Sequence, residues 1–164
     1  MSMILYLRRV TDEELAAIRS DPSRVSSFFF EEGAQERGDL IDFDKAWQAV
    51  HFTLCGAEYY TDHDLGALLI NGEPVGDEMG YGTAWLIDLE RLRTFDAALR
   101  ALTDDDIRDR FDPQALVNND IYRFEECLEY PEEALSYIMQ GIPALRRFTK
   151  RCIDSGSSAL AAIS

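Results

Sequence analysis

A chain of 164 residues with 46% apolar content has the length of one domain and enough hydrocarbon to bury a core without staples. Its formal charge of -15, from 31 acids against 16 bases, repels nucleic-acid phosphates and anionic lipid, which argues against nucleic-acid and membrane partners. The opening segment lacks the form of a secretory leader, no run approaches the roughly 18 apolar residues of a membrane span, and Cys55, Cys127 and Cys152 show no paired or CxxC spacing. A cytoplasmic protein with reduced thiols, no bound metal and no cofactor is expected.

In chain order, Met3 to Val10 is apolar on both parities, Met3, Leu5 and Leu7 against Ile4 and Tyr6, which predicts a strand covered on both faces. Thr11 and Glu14 have the spacing of a capping box for a short helix through Ile18. Pro22 breaks that helix, and "SRVSSFFFEEG" reads as another ending near Gly33, followed by an exposed loop, "GAQERGD". The stretch "DFDKAWQAVHFTLCG", residues 42 to 56, reads as a helix capped by Asp42. Its core face is Phe43, Ala46, Trp47, Val50 and Leu54, and a narrow polar strip carries Asp44, Gln48 and His51.

Further on, "NGEPVGDEMGYG" has the composition of a long loop, and loops of that length are often mobile or functional. "TAWLIDL" predicts a second buried strand. Asp88 is placed to cap the helix "LERLRTFDAALRAL", whose Leu89, Leu92, Phe95 and Leu99 form one stripe, and Thr103 with Asp106 starts another helix. "EYPEEALSYIMQGIPALRRFTKRCIDSG" is the longest helical segment; Pro131 suits its first turn, Gly156 its left-handed end, and Pro143 predicts a break near Gly141. "SALAAI" closes the chain as a third buried strand, expected to pair with the first. The architecture predicted is α/β and three-layered, a helix-rich single domain over residues 1–164 around a small mixed or parallel sheet of three to four strands.

Two features carry chemistry. Between Thr103 and Glu133 stand eleven acids against three arginines, a net of eight negative charges and over half of the whole imbalance. Asp104, Asp105, Asp106, Asp109, Glu125, Glu126 and Glu129 are the candidate contacts of an acidic surface for a basic protein partner. The other feature is the polar strip: Asp44, Trp47 and His51, together with Gly80, Tyr81 and Gly82 of "GYG", are candidate walls of a small-molecule-binding or hydrolytic pocket, the imidazole serving as base or orienting group. The competing reading makes His51 a buried hydrogen-bonding group. "DFD" and "TDHD" lack metal-ligand spacing, and neither a phosphate loop nor a GxSxG elbow occurs. A binding module is favoured over an enzyme, as a monomer or small homo-oligomer, because the charge signal is large and the catalytic signal rests on few groups.

"DFDKAWQAVHFTLCG", "GYGTAWLI" and the ending "YIMQGIPALRRFTKRCIDSGSSALAAI", with the start "MSMILYL", resemble the bacterial YfbM-like family, a domain of unknown function. The match runs over essentially the whole chain. It implies a single-domain cytoplasmic α/β fold and brings no activity, cofactor or catalytic residue with it.

Overall fold

The computed structural model describes residues 2–164. Five strands, β1 (Leu5–Val10), β2 (Leu40–Asp42), β3 (Pro74–Glu78), β4 (Thr83–Ile87) and β5 (Ser158–Ile163), form one sheet in the order β2-β1-β5-β4-β3. Every neighbouring pair is antiparallel. The expectation of a three-to-four-stranded mixed or parallel sheet is therefore corrected, although the class remains α/β. Two-faced apolar strands signal cover on both sides but do not encode direction, and helices above and below an antiparallel sheet produce the same pattern.

Alternation along the strands separates two cores. Leu5, Leu7, Ala159, Ala161 and Ile87 face one side, under α3 (Trp47–Cys55), α4 (Leu89–Arg100), α7 (Pro131–Gln140) and α8 (Ile142–Asp154). Val10, Ala84, Leu160 and Ala162 face the other, under α1 (Asp12–Ser20) and α2 (Val25–Phe29). The terminal strand β5 lies between β1 and β4, and its Ala159 to Ala162 are fully buried. Its pairing with β1, from Leu5 opposite Ile163 to Val10 opposite Ser158, joins the two ends of the described chain.

The local signals behave as their chemistry requires. Thr11 and Glu14 close a capping box on α1, Thr103 and Asp106 close one on α5 (Asp104–Asp109), and Asp88 accepts the Arg91 N–H to cap α4. The long C-terminal helix breaks at Gly141 into α7 and α8. A side chain there would meet the ring of Phe43 at 2.9 Å, so the glycine both ends one helix and lets the other approach β2. α6 (Pro113–Asn118) follows α5, and residues 119–130 then run as linked turns pinned to the core by Ile121, Phe124 and Cys127.

Two strands were not expected, β3 in the segment read as a long loop and β2 just before the segment read as a capped helix. β3 starts at a proline and carries Gly76 at φ +80, where a β-carbon would lie 2.5 Å from Val25; its pairing with β4 is bulged between Val75 and Glu78. β2 has only three residues and ends at Asp42, which is no helix cap: its Oδ1 accepts the Asp44 N–H ahead of a 3-10 turn at Asp44–Ala46. A charge inside the smaller core was also not foreseen. Arg8, 2% exposed, donates to the Phe28 and Arg9 carbonyls and to Glu31, with its guanidinium 4.2 Å from the centre of the Phe28 ring.

Candidate functional site

Helix α3 uses its polar strip for its own structure. His51 is 0% exposed, and its Nε2 lies 2.8 Å from the Tyr59 carbonyl, which can only accept, so Nε2 carries the proton. Nδ1 is buried without a partner among the described residues. Burial pushes the imidazole pKa down, against the opposing pull of the Tyr59 carbonyl, and the ring is neutral at pH 7. Cys55 Sγ stands 3.5 Å from Nε2, yet its hydrogen bond goes to the His51 carbonyl and burial raises its pKa, so the pair lacks an activated thiolate. Gln48 donates to the Glu58 carbonyl and accepts the Tyr122 N–H, fixing two segments that follow it in the chain.

The remaining residues of the predicted pocket belong to separate networks. Trp47 is buried, its indole N–H donating to the Met3 carbonyl and its ring tilted against Tyr122 at 6.0 Å. Asp44 sits on the 3-10 turn at φ 47, where its carboxylate accepts the Tyr137 hydroxyl at 2.5 Å. Desolvation and that carboxylate raise the Tyr137 pKa to about 12. Gly80, Tyr81 and Gly82 make the turn between β3 and β4; Tyr81 is exposed, and its N–H donates to the Ile163 carbonyl. Asp44 lines one surface concavity together with Tyr137 and Gly141, and neither His51 nor Tyr81 borders that one or the four others on this surface. His63 accepts the Leu65 N–H within its own loop, and among the described residues no three His, Cys, Asp or Glu converge as metal ligands.

The acidic stretch divides into two kinds of carboxylate. Asp104, Asp105 and Asp106 on α5 are occupied: Asp104 pairs with Arg146 of α8 at 3.3 Å, Asp105 pairs with Arg108 at 2.9 Å, and Asp106 closes the capping box. Asp112 likewise caps α6. Among the described residues Asp109, Asp120, Glu125, Glu126, Glu129, Glu132 and Glu133 have no ion pair. The five glutamates belong to the two segments that enclose a groove of about 290 Å³, the turns at 123–130 and the start of α7. Its floor is Phe124, stacked on Tyr137 at 6.2 Å, with Cys127 and Ala134; Arg123, Glu126, Tyr130 and Glu133 make its walls.

Two large apolar side chains lie beside these glutamates in sequence and face solvent, Leu128 at 48% and Tyr130 at 49% exposure. The turns that present them contain Asp120 and Arg123 at φ 48 and 64, a left-handed backbone that side chains other than glycine take up only at a cost. Sequence counting found the charge here but missed the groove, because the exposure of Leu128 and Tyr130 depends on how the turns pack.

The same counting missed a second ionic cluster. Asp39, almost fully buried, accepts from Arg9 and Arg151, each at 2.7 Å, and from Arg37 at 3.2 Å. These guanidinium groups hold its carboxyl far below the ordinary range despite its burial. The cluster fastens β1, the loop before β2, and α8 to one another.

Comparison with curated proteins finds no match. Among solved structures the chain is similar to the crystal structure of a protein of unknown function, YfbM from Escherichia coli, at 18% identity and a TM-score of 0.72, over 98% of this chain and 99% of that one. That likeness concerns the fold. No helix among the described residues is long and apolar enough to cross a membrane. Residues 1–162 match the family model of DUF1877, a domain of unknown function, and the chain belongs to this YfbM-like family.

Proposed function

We propose that this DUF1877 protein is a non-enzymatic cytoplasmic binding module, and that its glutamate-rimmed groove docks a basic, partly apolar segment of another protein. The observation that carries the reading is the coincidence of unpaired carboxylates with exposed hydrocarbon: Glu126 and Glu133 line the groove with exposed Tyr130, and Glu125, Glu129, Glu132 and exposed Leu128 stand next to them in sequence. Carboxylates alone would only keep a surface hydrated, and an apolar pair alone would be unremarkable. Together they match a lysine- or arginine-bearing segment with one or two apolar anchors, the charges speeding encounter and excluding acidic competitors while the anchors supply affinity.

Affinity capture from a lysate at low and high salt tests the reading. Wild-type protein retains a basic partner at low salt and releases it at high salt. Reversal of Glu125, Glu126 and Glu129 to lysine abolishes retention, whereas reversal of Asp104, Asp105 and Asp106 weakens it less, because those carboxylates already have partners. Retention indifferent to salt and to the glutamate reversal contradicts the reading. The alternative, a ligand-binding or hydrolytic pocket of Asp44, Trp47, His51 and Tyr81, has less support: His51 is sealed and neutral, and Asp44 is the member that lines a concavity.

A further inference from the structure

A second groove has no part in that reading. It follows the outer edge of β2, between that strand and α8. One section, of about 500 Å³, is walled by Leu40, Ile41, Phe148 and the arginines Arg37, Arg147 and Arg151. The adjoining section, of about 210 Å³, is walled by Asp44, Tyr137, Gln140 and Gly141. Asp42 and Ala144 line both, so the two sections adjoin end to end.

Its ends carry opposite charge. At one end stand Asp42 and Asp44, neither in an ion pair among the described residues. The left-handed turn at Asp44 is held by the Asp42 carboxylate and by Tyr137, whose hydroxyl donates to Asp44 and accepts the Lys45 N–H. At the other end Arg37 and Arg151 share the Asp39 carboxylate with Arg9, and Arg147 has no acid partner among the described residues. Glu36 lies in the same wall, but the arginines outnumber the acids there.

Between the two ends lies an open strand edge. β2 is the outermost strand, and the bonds from Arg9 N–H to Asp39 O and from Phe43 N–H to Leu5 O turn the backbone of residues 39, 41 and 43 toward β1. Leu40 and Asp42 therefore direct their backbone groups outward. The Leu40 N–H is taken by the Ala34 carbonyl; the Asp42 N–H and both carbonyls have no partner among the described residues.

We infer that this groove binds a short peptide with free ends, extended along β2, its ammonium at Asp42 and Asp44 and its carboxylate at Arg147. Along α8, Gly141 lies roughly 9 Å from Arg147 and about 15 Å from Arg151, at 1.5 Å per residue. An extended chain covers about 3.3–3.6 Å per residue, so three or four residues fill the interval. The planar guanidinium matches a terminal carboxylate, the Asp42 N–H and carbonyl supply strand-type bonds, and Ile41 and Phe148 give a floor tolerant of small apolar side chains. The inference is independent of the glutamate groove.

An equimolar library of tripeptides with free ends, the same library N-acetylated, and the same library C-amidated are each incubated with the full chain, and peptides retained on ultrafiltration are counted by mass spectrometry. Free-ended peptides are retained, and either cap lowers retention about tenfold, the effect of losing one charged hydrogen-bonded contact. Arg147→Ala lowers retention of the free library to that of the amidated one. Joint replacement Asp42→Asn and Asp44→Asn removes the penalty of acetylation; because the Arg147 side chain makes no hydrogen bond or ion pair within the described chain, its variant tests the groove even where the double variant is misfolded by circular dichroism. No retention of any library at millimolar concentration, equal retention of capped and free peptides, or discrimination that survives Arg147→Ala overturns the inference.

Discussion

Helix α3 and the turns at 123–130 are both dense in polar and aromatic residues, yet they put those residues to opposite uses. On α3 the imidazole, indole and amide each reach a backbone group inside the fold, His51 to Tyr59, Trp47 to Met3, and Gln48 to Glu58 and Tyr122. Along 123–133 the glutamates have no ion pair among the described residues, and Leu128 and Tyr130 stay in solvent. A buried polar group must find its partner within the chain or cost stability. An exposed one without an internal partner remains available to a second molecule. The two regions are therefore expected to fail differently: changes in α3 reduce stability, and changes in the groove reduce association.

The largest effect belongs to Trp47. Trp47→Ala leaves a cavity and frees the Met3 carbonyl, and a loss of about 3–5 kcal/mol in denaturant unfolding is expected. Asp39→Ala, which strands three arginines around a vacated carboxylate, costs about 3 kcal/mol by the same measurement, the low end for breaking a buried pair because Arg37 and Arg151 are partly exposed. His51→Ala costs about 1–3 kcal/mol, the range for removing a hydrogen-bonded side chain that is itself fully buried.

His51 also sets a pH dependence. Its folded pKa is depressed, so the unfolded chain binds the proton more readily; the contribution to stability is complete above the unfolded value near 6.5 and is lost as pH falls from there toward the folded pKa. His51→Gln, able to donate to the Tyr59 carbonyl without titrating, flattens that part of a stability-pH profile. An unchanged slope would mean another group causes it. Asp39 acts lower on the scale: its depressed pKa gives stability present above about 3.9 and lost as pH falls below.

The smallest thermal effect is expected where the binding effect is greatest. Replacing Glu125, Glu126 and Glu129 by glutamine shifts the melting temperature by no more than about 2 °C, as surface substitutions do, while removing salt-dependent association. A large thermal loss would erase the distinction between the regions.

How far these features were legible depends on whether their causes were local. The caps at Thr11, Asp88 and Thr103 and the break at Gly141 were readable because a few adjacent residues determine each. The pairing of the first and last strands was also readable, since a doubly buried strand needs an interior slot. β2 and β3 were not: three residues ending in aspartate, or a stretch opening with proline and bulged at Gly76, have the composition of loop. Strand direction was illegible because cover on both faces is compatible with either.

At the acidic face, counting located the charge but could not tell Asp104, met by Arg146 from a distant helix, from Glu126, which has no ion pair among the described residues. The arginines around Asp39 come from β1, the loop before β2, and α8, a convergence that only the fold creates.

The most direct test of the central claim places a photo-cross-linking amino acid at Leu128, and separately at exposed Phe30, in otherwise wild-type protein in cells. The account predicts an adduct from position 128 alone, on a partner whose cross-linked segment carries lysine or arginine, and its disappearance when Glu125, Glu126 and Glu129 are changed to glutamine. No adduct at 128, or one that persists after those changes, would contradict it.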